Sequence, residues 1–230
     1  MNKKLLFTSL AALGLSIGAA SAQFSRPISV GAGAGVAYNL TDLANVKAKF
    51  SFYGEADYLI NPFISVGLRG EKGTLAGHGY NSEFENRYFA GNLNGKLRVG
   101  QFLNDATNYS HYTLGANTFS RILSNIYVGA GAGLVKNRIK RQIDPTYADG
   151  IANQGGELAE DLGEIHFVLP LNAGVDIPFG RTLYGPQWAI NVNYQHTLTF
   201  NDNLDGIKNK GNDQYGFVSL GVKYALFNRK

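Results

Sequence analysis

The sequence predicts an all-β fold: a closed, antiparallel, up-and-down transmembrane β-barrel of about eight strands. Three observations predict it. Long stretches alternate apolar residues with small or polar ones, the two-residue period of an extended chain. After residue 22 no apolar run approaches the roughly 18 residues that a spanning helix needs, so any spanning falls to strands. Glycine (29), tyrosine (13) and phenylalanine (14) are abundant, as expected when every second strand residue faces a packed lumen.

The alternation is clearest in the last strand, Tyr215 to Phe227. Val218, Leu220, Val222, Tyr224 and Leu226 form an apolar row, and Phe217, Ser219, Gly221, Lys223 and Ala225 the opposite row. An unpaired terminal strand is a hazard. Pairing it with the first strand closes the sheet, with the apolar row towards lipid.

Lys3 and Lys4, the apolar run Leu5 to Ala20 and the small residues Ala20-Ser21-Ala22 read as a secretory signal peptide. Residues 1–22 are expected to be cleaved, leaving 23–230 as a single barrel domain.

The first strand, Ile28 to Leu40, puts Val30, Ala32, Ala34, Val36 and Tyr38 outward and Ser29 and three glycines inward. The second, Phe50 to Ile60, turns Ser51, Tyr53, Glu55 and Asp57 inward. Asn61-Pro62 is a turn, because proline cannot continue a central ladder. The third, Phe63 to about Gly73, points Arg69 and Glu71 inward, and Gly77 to Asn86 reads as a loop. The fourth, Tyr88 to Phe102, points Asn92, Asn94, Lys96 and Arg98 inward. Leu103 to Asn125 is the least regular segment, with a short amphipathic helix around Thr118 to Leu123. The fifth strand is Ile126 to about Ile139, the sixth Glu164 to Ile177 and the seventh Trp188 to Phe200. Loops at Thr41, Gly77, Asp144 and Asn201 are expected outside the cell, and turns at Asn61 and Pro178 in the periplasm.

Cysteine is absent, which removes disulfides and thiolate metal sites from consideration. The formal charge is +4 and falls when Lys3 and Lys4 leave. No concentrated basic face remains, so nucleic acid is not an expected partner. The four histidines show no metal-ligand spacing, and no metal or cofactor is expected.

Val30 to Val36 reads VGAGAGV, and Val128 to Leu134 reads VGAGAGL. A nucleotide-binding loop would need G-x-G-x-x-G opening a helix. Glycines at every second position instead share one face of a strand and make room across a narrow barrel.

The inward charges form the principal candidate site. Glu55, Asp57, Glu71, Glu164 and Asp176 are acidic, and Arg69, Lys96, Arg98 and Lys223 are basic. Nearly balanced signs predict a paired network filling the lumen, since an unpaired buried charge is heavily penalised. Lys136, Arg138, Lys140 and Arg141 bunch at the outer end of the fifth strand. They suit the phosphates of lipopolysaccharide, or the acidic loop that follows them. Aromatic girdles are expected at both membrane interfaces. Tyr38, Phe50, Phe89, Phe200 and Phe217 are placed in the outer girdle, and Tyr58, Phe63, Trp188, Tyr224 and Phe227 in the inner one. No serine stands beside His196, and no catalytic triad is recognisable around it or His166, so no enzymatic activity is expected.

The signal peptide, the eight alternating segments and the aromatic-rich last strand ending near Phe227 resemble the small eight-stranded outer-membrane barrels. These include OmpA-like transmembrane domains and the outer-membrane β-barrel proteins of Bacteroidota. The resemblance covers the mature chain and implies a bacterial outer-membrane location, a porin-like barrel architecture, and lipid, lipopolysaccharide and the outer-membrane assembly machinery as partners. A monomer is expected. The predicted role is structural or surface-interacting, with a plugged lumen and exposed outer loops. The alternatives are a lipid A-modifying hydrolase or acyltransferase, and a small porin.

Overall fold

The computed structural model describes residues 27–40, 45–61, 63–78, 82–102, 118–143, 157–158, 165–180, 187–200, 207–208 and 213–226. Eight antiparallel strands form a closed barrel: β1 (Ile28–Asn39), β2 (Lys49–Leu59), β3 (Ile64–His78), β4 (Ser82–Arg98), β5 (Ile126–Ile143), β6 (Ile165–Phe179), β7 (Trp188–Thr199) and β8 (Gln214–Leu226). Each strand pairs with its neighbours in sequence, and β8 pairs with β1 from Ile28↔Leu226 to Asn39↔Tyr215. No sheet edge is left to recruit another chain along these residues.

The registers fix the barrel's stagger. Following paired residues from Ile28 leads through Tyr58, Val66, Gly95, Ala130, Leu171, His196 and Gly216. The path returns to β1 at Tyr38, ten residues beyond its start at Ile28. A stagger of this kind accompanies strands tilted by about 35–45° to the barrel axis.

The alternation predicted from sequence is realised on every strand. On β2 the burial switches at each residue from Ser51 to Leu59, with Phe52, Gly54, Ala56 and Tyr58 exposed and Tyr53, Glu55 and Asp57 buried. The exposed row is the apolar one, so this surface suits acyl tails rather than water.

Some boundaries differ from the sequence reading. The expected loop from Gly77 to Asn86 is mostly strand: β3 runs to His78 and β4 starts at Ser82. Asn45–Lys47 adds to the edge of β3 there. Backbone pairing continues here from Thr74↔Arg87 to His78↔Glu83, past the last large apolar residues of the outward rows. β5 likewise runs to Ile143 rather than Ile139. Pro178, expected to open a turn, lies inside β6 opposite Ala189. The β5–β6 ladder is interrupted between Ala130↔Leu171 and Gly133↔Val168, where Pro170 sits. Proline has no N–H to contribute to a ladder.

Asn61 explains the β2–β3 turn. Its Oδ1 accepts hydrogen bonds from the Phe63 and Ile64 N–H groups at 2.8 and 2.7 Å, a side chain standing in for a backbone turn acceptor. The β4–β5 connection begins with a 3₁₀ turn, Val99–Phe102, and ends with helix α1 (Thr118–Ser124), near where a short helix was expected. Among the described residues no helix is long and apolar enough to cross a membrane. At the other end, segments of the β5–β6 and β7–β8 connections pair with each other through Ile207↔Leu158 and Lys208↔Glu157. The expected signal peptide lies outside the described residues.

Candidate functional site

The lumen is filled by side chains from all eight strands, and charge dominates its half nearer the termini. Glu55, Asp57, Arg69, Glu71, Lys96, Arg98, Asp176 and Lys223 are each at most 7% exposed. Glu164, placed with them by the sequence pattern, lies outside the described residues.

Four of the strands make a closed circuit of ion pairs. Lys96 on β4 reaches β2, with Nζ 2.9 Å from both Glu55 Oε2 and Asp57 Oδ2. Arg98 on β4 reaches β6, with Nη2 3.1 Å from Asp176 Oδ2. Lys223 on β8 reaches β6 at Asp176 Oδ1, 3.2 Å away. It also reaches β2, at 2.7 Å from Glu55 Oε1 and 3.2 Å from Asp57 Oδ2. The circuit runs β2, β4, β6, β8 and back to β2. Each link skips one strand, because a staggered barrel brings residues of alternate strands to one height.

Of the skipped strands, β1, β5 and β7 contribute room and neutral hydrogen bonds. A Cβ on Gly31 of β1 would stand 3.0 Å from the Lys223 stem and 3.3 Å from Glu55 Cγ. A Cβ on Gly129 of β5 would stand 3.3 Å from the Lys96 stem. The two glycine repeats therefore clear the path of the two lysines. Tyr53 donates to Asn191 Oδ1 at 3.0 Å, and Asn191 Nδ2 donates to Asp176 Oδ1 at 2.8 Å and to the Tyr127 hydroxyl at 2.9 Å. Tyr127 donates to Asn193 Oδ1 at 3.0 Å. Amide contacts continue through Asn172 and Asn94 to Asn92. Both lysine ammonium groups lie over the Tyr127 ring, 5.5 and 5.6 Å from its centre, within cation–π range.

Arg69 and Glu71 form a second tier. Arg69 Nε donates to Glu71 Oε1 at 2.7 Å, and Arg69 Nη1 is 3.5 Å from Glu55. The Arg69 guanidinium stacks 3.9 Å from the Tyr53 ring centre and 5.6 Å from that of Phe217. Beyond it lies an apolar layer that includes Tyr88, Tyr215, Leu75, Val135, Val168 and Phe217, all at most 2% exposed. The sequence reading assigned the lumen to charges and missed this layer. Its signal was present: Tyr88 shares the parity of Lys96 and Arg98 on β4, and Tyr215 that of Lys223 on β8.

The girdle assignments divide. Tyr58, Phe50, Phe89, Trp188 and Phe200 are exposed on the outer surface, and Tyr38 and Tyr224 are partly exposed in their strands' outward rows. At the terminus-bearing end, Trp188 lies 4.5 Å from Tyr224 and 6.5 Å from Phe179, ring centre to ring centre. Phe63 and Phe217 correct the expectation, being 6% and 0% exposed. Each has the odd-numbered parity that points inward on its strand, and Phe63 fills the mouth against Gly100. Phe227 lies outside the described residues.

Lys136 and Arg138 face outward and are exposed, while the side chains of Lys140 and Arg141 lie outside the described residues. His166 is buried in the lumen row. His196 is on the outward row, where Nε2 lies 2.9 Å from Gln214 Oε1 and Nδ1 lies 3.2 Å from the Tyr194 hydroxyl. The barrel wall thus separates the two histidines. Among the described residues no cluster of histidines and carboxylates is arranged to hold a metal.

The family profile described as "Outer membrane protein beta-barrel domain" matches residues 7–225. The chain belongs to this family. It is therefore an outer-membrane barrel, with the apolar row facing lipid and the charged circuit inside. The Asn61 turn lies at the barrel end where β1 begins and β8 finishes. The fold is similar to that of Neisserial surface protein A, NspA, at 13% identity and a TM-score of 0.50 over 87% of this chain and 97% of that one. Ail of Yersinia pestis matches at 12% identity and a TM-score of 0.47, over 88% of this chain and 100% of that one. OprG of Pseudomonas aeruginosa matches at 11% identity and a TM-score of 0.40, over 89% and 99%. No curated protein sequence matches this outer-membrane barrel.

Proposed function

We propose that this protein is a non-conducting, non-catalytic barrel that serves the outer membrane structurally and displays its outer connections at the cell surface. One observation carries the reading: the ion-pair circuit crosses the lumen between β2, β4, β6 and β8. An eight-stranded barrel has an interior only about wide enough for side chains. Here the charged tier, the Arg69–Glu71 tier and the apolar layer occupy successive levels of it. A path for ions would require separating buried pairs, which is costly for each charge left alone.

The chain is exported through a signal peptide at residues 1–22 and inserted by the outer-membrane assembly machinery as a monomer. Its immediate partner is the surrounding lipid, lipopolysaccharide included. A lipid-modifying activity would need a nucleophile beside an oriented base. His196 instead contacts Tyr194 and Gln214, which supports the non-catalytic reading.

Planar-bilayer recording tests the proposal. The purified barrel should give no steady open channel. Loss of Arg98 as Arg98→Ala should admit leakage by unpairing Asp176 from β4. Steady conductance from the unaltered protein would favour the porin reading. An altered acyl pattern in purified lipid A, dependent on the gene, would favour the enzyme.

A further inference from the structure

The outer face of β2 to β5 carries a cationic groove. Its volume is about 590 Å³, and Phe50, Phe52, Lys72, Arg87, Lys136 and Arg138 are among the residues that line it. The pairing register aligns Phe52, Lys72, Phe89 and Lys136 in one cross-strand row. Arg87 and Arg138 are paired in a row two residues further out. Arg87 is met by Glu85 at 3.1 Å. Among the described residues no carboxylate makes an ion pair with Lys72, Lys136 or Arg138.

These cations sit where lipid is expected. On β1 and β6 the apolar outward row runs to the outer ends, Leu40 and Ile165; on β3, β4 and β5 it gives way to Lys72, Arg87 and Lys136. Cationic side chains on a lipid-facing strand are unfavourable unless an interface or a counter-charge meets them. Several cations beside aromatic rings suit a phosphate carried on acyl chains.

A furrow continues from the groove towards the membrane centre. One register row reads Ala32, Gly54, Gly70, Gly91 across four adjacent strands, two residues below Lys72. A Cβ added to Gly70 or Gly91 would meet no atom within 4 Å. Inside the barrel the opposite holds: a Cβ on Gly33 or Gly133 would collide with backbone. Glycine weakens a strand, and nothing within the barrel requires it at 70 and 91. A demand from outside the barrel explains the row.

We infer that this face binds one phosphorylated, acylated lipid of the outer leaflet, with phosphate on Lys72, Lys136 and Arg138 and an acyl chain in the Gly54–Gly70–Gly91 furrow. The inference rests on the membrane orientation proposed above and names a lipid partner for it. It does not depend on whether the lumen conducts.

The test is native mass spectrometry of the barrel in lipid nanodiscs, with purified lipopolysaccharide, its dephosphorylated form or phosphatidylcholine as the probe. The unaltered protein should retain lipopolysaccharide at least about tenfold better than the dephosphorylated form. Lys72→Gln, Lys136→Gln and Arg138→Gln together should remove that preference. Gly70→Leu with Gly91→Leu, which fills the furrow without touching the barrel, should weaken retention while the folded band on an unheated gel persists. Equal retention of both lipopolysaccharide forms, or an unchanged preference in the triple variant, would overturn the inference. So would dimers that are lost in the furrow variant, because a second copy would then be the occupant.

Discussion

Lys223 is 3% exposed and meets Glu55, Asp57 and Asp176 within 3.2 Å. Removing one partner from a buried charged set costs about 3–5 kcal/mol, because the others stay behind uncompensated. Lys223→Met should therefore lower unfolding stability by about that amount, measured by urea titration in detergent micelles. Lys136→Gln, on the exposed outer face, should change it by less than about 0.5 kcal/mol. Tyr53→Phe removes a donor to Asn191 and should cost about 1 kcal/mol in the same titration. At this scale alternation reveals the inward charges but not every inward aromatic. The frequency of aromatics at interfaces points to Phe63 and Phe217 as girdle residues. Their odd-numbered positions, shared with Arg69 and Lys223, place them in the lumen instead.

The β1–β8 seam is the element on which closure depends, and its inward glycines set a limit that outward glycines elsewhere do not. Gly33 pairs with Gly221 across the seam, and the Tyr53 side chain occupies the space beside both. Gly33→Val would drive its side chain into backbone of β8, so the variant should fail to give a folded, heat-modifiable band on a denaturing gel. Gly70→Val, whose side chain enters open space, should give that band as the unaltered protein does. The strands themselves were legible because a two-residue period leaves little freedom in facing. The β3–β4 hairpin was not. Gly77 to Asn86 is polar and glycine-containing, as loops are, but strand pairing above the membrane needs no apolar row, so alternation no longer marks it.

Across the whole molecule, the charged residues were legible as a set and their circuit was not. Glu55, Lys96, Asp176 and Lys223 are far apart in sequence, and nothing in the local pattern says which will meet. The ten-residue stagger from Ile28 to Tyr38 decides it, and stagger is a property of the closed barrel alone. The apolar layer beyond Arg69 was hidden for a related reason: tyrosine and valine fit the lipid face as well as the lumen, and only parity separates them. Single-channel recording in planar bilayers tests whether the ion pairs close the lumen. The unaltered barrel should insert without steady current, and Arg98→Ala should produce discrete openings. Sustained ohmic current from the unaltered barrel, unchanged by Arg98→Ala, would contradict a lumen sealed by its ion pairs.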